Sequence, residues 1–112
     1  MATVQDVFDI MEQSFQKDVA AGFKKKVVIQ YNIAGEDGGK WYLTIENGEY
    51  SITEGSVDKP SAELKFDSVD SFYGVTTGEI GGIKAYTTGK LRFSGSQALL
   101  QQINKVFPSA KE

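Results

Sequence analysis

The side chains that most often carry out chemistry are missing from this sequence, which has no histidine and no cysteine. That removes the commonest general base, two of the commonest metal ligands and the thiol nucleophile. Carboxylates, lysines and hydroxyls remain. Asp6, Asp9 and Glu12 recur at spacing three, as acid–base partners on one helix would, but they fall beside the apolar stripe Val4, Phe8, Met11 and Phe15. A solvated helix face is therefore expected there. Asp67, Asp70 and Glu79 flank loops and could chelate a hard cation, yet no D-x-D-x-D-G spacing gathers them. Gly89-Lys90 ends like a phosphate-binding loop, but Lys84 stands where the first glycine is needed and Leu91 where Ser or Thr is needed. Gly95-Ser96 begins like a serine-hydrolase elbow, but Ala98 replaces the closing glycine and no histidine exists to activate Ser96. The expectation is a non-catalytic protein without cofactor or bound metal.

The elements around these residues are legible from period and punctuation. Val4, Phe8, Met11, Phe15, Val19 and Phe23 repeat at three and four, one face of a helix that Thr3 caps, with Asp6 in the capping-box position. Gly22 and the cations Lys24-Lys25-Lys26 end it. The cations would also attract anionic headgroups in a transient membrane contact, although a solvated helix end is the simpler reading. The period then changes to two: Val27, Ile29, Tyr31 and Ile33, then Trp41, Leu43 and Ile45, then Tyr50 and Ile52, then Ala62, Leu64 and Phe66, and last Leu91 and Phe93. Such alternation gives strands with one buried and one wet face. Asn47-Gly48 signals a tight hairpin, so the first three strands form a meander. Ser68 caps a short helix over Val69, Phe72 and Tyr73, a second turn carries Ile80, Ile83 and Tyr86, and Ser96 caps a last helix that Pro108 ends. The two Thr-Thr-Gly steps at 76–78 and 87–89 read as helix stops with a left-handed glycine. The predicted fold is α/β of the α+β two-layer kind, a mainly antiparallel five-stranded sheet with helices over one face.

Bulk properties narrow the function. At 112 residues, one domain spanning 1–112 is expected. A net charge of −3 argues against nucleic acid, which needs a basic face. No apolar run is long enough to span a bilayer, and MATVQDVFDI lacks the features of a secretion signal.

The segment from Pro60 to Gly95 carries a more specific pattern: Asp70-Ser71-Phe72, Thr77-Gly78, Ile83-Lys84-Ala85-Tyr86, Thr88-Gly89-Lys90-Leu91, Phe93 and Gly95. With the Trp41, Leu43, Ile45 strand before it, this pattern resembles the sterol carrier protein 2 family of nonspecific lipid-transfer domains. Two departures are Gly81-Gly82, where the family usually has Asp-Pro or Asn-Pro, and Tyr86 in place of Phe. The resemblance implies a non-catalytic lipid carrier holding a fatty acid, acyl-CoA, sterol or similar apolar molecule in a hydrophobic tunnel. Phe8, Met11, Phe15, Phe72, Ile80, Ile83, Tyr86, Leu99 and Ile103 are the implied lining, and Gly81 and Gly82 a gate. The residues alone leave open that Phe72, Ile80, Ile83 and Leu100 merely fill a solid core. Such domains also serve as accessory or dimerisation modules, so a protein partner is the alternative. Peroxisomal relatives end in a tripeptide like S-K-L; Ala110-Lys111-Glu112 does not fit, and a cytoplasmic location is expected.

Overall fold

The computed structural model describes residues 3–108. Helix α1 (Val4–Ser14) starts as expected, with Asp6 N–H donating to Thr3 Oγ1 at 3.1 Å and Thr3 N–H donating to Asp6 Oδ2 at 2.9 Å. The stripe does not continue as one helix to Phe23. Phe15 turns extended (φ −58°, ψ 128°), and a single turn, α2 (Lys17–Ala20), follows. The break has a tertiary cause: Gln16 N–H donates to Val106 O at 2.8 Å, and Phe15 leaves the stripe to pack on Tyr50 and Phe107.

Strands β1 (Val27–Ile33), β2 (Gly39–Glu46) and β3 (Glu49–Glu54) form the meander. Asn47 and Gly48 both take positive φ at the hairpin, at 57° and 78°. β4 (Ala62–Phe66) and β5 (Leu91–Gly95) complete a sheet of order β3-β2-β1-β4-β5. The sheet is mainly antiparallel, as expected, but mixed: β1 and β4 run parallel, a pairing the sequence did not show, and the other three pairs are antiparallel. Residues 55–61 must return the chain from the far end of β3 to the near end of β1, and they cross the face opposite the helices. The side chain of Gln30, only 2% exposed, clamps that crossing. Its Nε2 donates to Gly55 O at 3.2 Å and to Trp41 O at 3.1 Å, and its Oε1 accepts from Val57 N–H at 3.0 Å. A buried amide without these partners would cost stability, so the clamp and the parallel pairing support each other.

Helices α3 (Val69–Thr77), α4 (Gly82–Thr87) and α5 (Gln97–Val106) lie with α1 over the apolar face. Ser68 and Ser96 cap α3 and α5, accepting from Ser71 N–H at 3.1 Å and Leu99 N–H at 3.2 Å. The repeated Thr-Thr-Gly steps do one job twice. Gly78 and Gly89 take φ of 84° and 79°, while Thr77 and Thr88 hydroxyls donate back to the carbonyls of Tyr73 and Lys84. Val7, Ile29, Leu43, Ile45, Val69 and Phe72 form the centre of the core, each contributing roughly 1.5–3 kcal/mol relative to exposure. Among the described residues no helix is long and apolar enough to cross a membrane.

Candidate functional site

The inner face of the sheet is covered unevenly. Register sets Trp41 opposite Glu54, Leu43 opposite Ile52 and Ile45 opposite Tyr50. Leu43 and Ile45 are buried, whereas Tyr50 and Ile52 on the edge strand β3 are only half-buried. Between that edge and α1 lies an open cleft of about 300 Å³, lined by Gln5, Phe8, Asp9, Glu12, Trp41, Tyr50, Ile52 and Glu54. Phe8 joins the cleft to the interior: its ring is 5.6 Å from that of Trp41 and 6.0 Å from that of Phe72. Phe72 in turn meets Phe66 at 4.9 Å and Tyr31 at 5.7 Å. At the other end of the cleft Tyr50 joins Phe15 and Phe107 at 4.6 and 5.1 Å. Edge-on and tilted rings of this kind suit their quadrupoles.

Electrostatics separate the two phenols of this region. Burial holds the Tyr31 phenol far above its ordinary pKa. Tyr50 is also shifted up, first by burial and then by the Glu12 carboxylate beside the cleft. Among the described residues no group of carboxylates is arranged to hold a metal ion. A second cleft of about 290 Å³ lies on the opposite flank, between the 55–61 crossing and the end of β5.

The residues expected to line a tunnel divide into two sets. Phe8, Met11, Phe72 and Ile103 belong to or pack on the central core, with Ile80 and Leu99 half-buried against it and Phe15 in the ring triad near β3. Ile83 and Tyr86, by contrast, point outward, 86% and 55% exposed, with Tyr86 stacked 5.3 Å from Phe93. Gly81 is the N-cap of α4 and Gly82 its first residue, and a side chain at either would meet open space. The cleft residues Trp41, Tyr50, Ile52 and Glu54 were not among the expected lining. The signal for them was present in the alternation Tyr50, Ile52, Glu54, which places a carboxylate on the sheet's apolar face.

Comparison with known proteins places the chain in a family and matches its fold. The family model described as the SCP-2 sterol transfer family matches residues 8–108. Hydroxysteroid dehydrogenase-like protein 2 of Bos taurus is 27% identical over 103 residues, covering 92% of this chain and 24% of that protein. The chain thus spans about a quarter of the length of the curated relatives it matches. Among solved structures, the sterol carrier protein-2 of Aedes aegypti in complex with palmitate superposes with a TM-score of 0.67 at 18% identity, over 100% of both chains. The sec-alkylsulfatase Pisa1 of Pseudomonas sp. superposes with a TM-score of 0.79 at 17% identity, over 96% of this chain and 17% of that one. At these identities the structural matches speak to the fold.

Proposed function

This chain belongs to the SCP-2 sterol transfer family, and we propose that it binds and carries an apolar lipid without catalysing a reaction. The observation that carries this reading is the open α1 cleft of about 300 Å³, whose wall residue Phe8 packs on the buried ring of Phe72. A ligand tail laid there would exchange water for aromatic and aliphatic surface, gaining about 25 cal/mol per Å² buried. The Aedes aegypti structure with palmitate supports a fatty-acid-like tail as the ligand class. The lining is Phe8, Met11, Phe15, Phe72, Ile80, Leu99 and Ile103, with Ile83 and Tyr86 on a wall that faces outward.

That wall is α4. It has six residues, no side-chain N-cap and only Ala85 buried, so little holds it in place. In this reading it swings on Gly81-Gly82 and brings Ile83 and Tyr86 onto the ligand. Organic extraction of the purified protein followed by mass spectrometry tests the function: a stoichiometric co-purified lipid is expected, and a lipid-free protein that also fails to take up a neutral fluorescent long-chain lipid contradicts it. A second reading, an accessory module acting through protein contacts, draws support from the exposed trio Ile83, Tyr86 and Phe93 and from the larger proteins in which relatives occur. A specific partner in pull-down that is lost on Ile83→Asp would favour it.

A further inference from the structure

The mouth of the α1 cleft carries charge of one sign. Asp9 and Glu12 on α1 and Glu54 on β3 rim a space walled by Phe8, Trp41 and Tyr50, and no lysine or arginine lines it. Among the described residues these carboxylates are not ion-paired; the pairs there join Lys17 to Glu49 and Lys65 to Glu63. Asp9 Oδ1 accepts from the neutral Gln5 Nε2 at 2.9 Å. The Glu12 charge is felt across the cleft, where it adds to burial in raising the Tyr50 phenol. The carboxylates are not disposed to close on a metal ion, whereas a diffuse organic cation needs only their field and a ring face. Aromatic faces attract such cations through the ring quadrupole, most strongly for tryptophan. A fatty-acid carboxylate in the same place would meet like charge from both α1 and β3.

Resting on the lipid-carrier reading above, we propose that the cleft selects amphiphiles with a quaternary or protonated amine head over fatty-acid anions. The head lies against Trp41 and Tyr50 among Asp9, Glu12 and Glu54, and the tail runs past Phe8 toward Phe72. The aromatic walls supply the site and the rim charge chooses the head.

Isothermal titration calorimetry of the whole chain, below micelle-forming concentrations and with circular dichroism to confirm folding, separates the terms. The ligands are dodecyltrimethylammonium, dodecanol, dodecanoate and free choline. At low salt the cation is expected to bind about tenfold tighter than dodecanol, because the carboxylates are exposed and act through partly screened water. Dodecanoate should be the weakest of the tailed ligands. The preference should shrink severalfold in 0.5 M salt and in the double variant Glu12→Gln, Glu54→Gln, while dodecanol affinity stays put. Charge reversal by Glu12→Lys should move the preference toward dodecanoate. Dodecanol binding with a cation no tighter than the alcohol overturns this inference and leaves the lipid reading standing. Choline binding as tightly as the tailed cation overturns the assignment of an amphiphile. Failure of all three tailed ligands overturns both.

Discussion

Phe72 and Ile83 stand a short distance apart in sequence and are both large and apolar, yet one is 1% exposed and the other 86%. The difference lies in what surrounds them. Phe72 sits on a nine-residue helix capped by Ser68, ended by left-handed Gly78 and pressed between the rings of Phe8, Tyr31 and Phe66. Ile83 sits on a six-residue helix without a side-chain cap, reached through two adjacent glycines and tied down through Ala85. The comparison teaches that hydrophobicity decides what a residue gains by burial, while helix length, capping and partners decide whether it is buried at rest. A carrier needs both kinds of wall, one that holds its shape and one that yields.

The largest effect should separate the two walls directly. Phe72→Ala removes a ring from a filled site and should cost about 3–5 kcal/mol in denaturant unfolding. Ile83→Ala should change stability by less than about 0.5 kcal/mol. Equal losses would mean that α4 is packed in solution and that its outward pose is not its resting state.

A smaller effect probes where the rigid wall meets the mobile one. A Cβ on Gly74 would fall 2.5 Å from Ile80 Cδ1, so Gly74 is what allows Ile80 to lie on α3. Gly74→Ala gains up to about 1 kcal/mol of helix propensity and loses about 1–3 kcal/mol to crowding. A net loss of about 1 kcal/mol is expected. Adding Ile80→Ala should turn the alanine from harmful to helpful, and a double-mutant cycle that shows no coupling would separate the two residues.

The smallest effect on stability carries the most information on motion. Gly81 has φ −62° and ψ 144°, the conformation favoured before proline, and Gly82 is the first helical residue, where proline fits best. Gly82→Pro should stabilise by about 0.4–1 kcal/mol through the unfolded chain. Stopped-flow exchange of a bound lipid should slow in both directions with affinity nearly constant. Unchanged rates would put the moving part elsewhere.

Local signals were the legible ones. Thr3, Ser68 and Ser96 as caps, Gly78 and Gly89 as stops, Asn47-Gly48 as a hairpin and the alternation of every strand could be read because each involves neighbours in sequence. What escaped reading depends on distant partners. The helix break at Phe15 answers to Val106, and the parallel placement of β4 is supported by Gln30 reaching Gly55 and Val57. Gln30 looks like any outward polar residue in its strand. Phe8, Phe72 and Ile103 were legible as inward residues from periodicity, but Ile83 and Tyr86 face out, because α4 turns the small Ala85 to the core and Ile83 and Tyr86 fall on its other faces. The cleft itself was not read: Trp41, Tyr50 and Ile52 were placed on strand faces without being taken as lining, and Glu54 went unnoticed because its place on the apolar face depends on pairing with Trp41 across the sheet.

Trp41 is the single tryptophan of the chain and stands in the wall of the cleft, beside Phe8. Its emission during titration with a long-chain neutral ligand such as dodecanol therefore reports on the proposed site without a label. The account predicts a blue shift that saturates at one ligand per chain and disappears in Phe8→Asp, which places a charge between the cleft and Phe72. An emission that drifts without saturating, or that saturates unchanged in Phe8→Asp, would contradict a lipid path through this cleft.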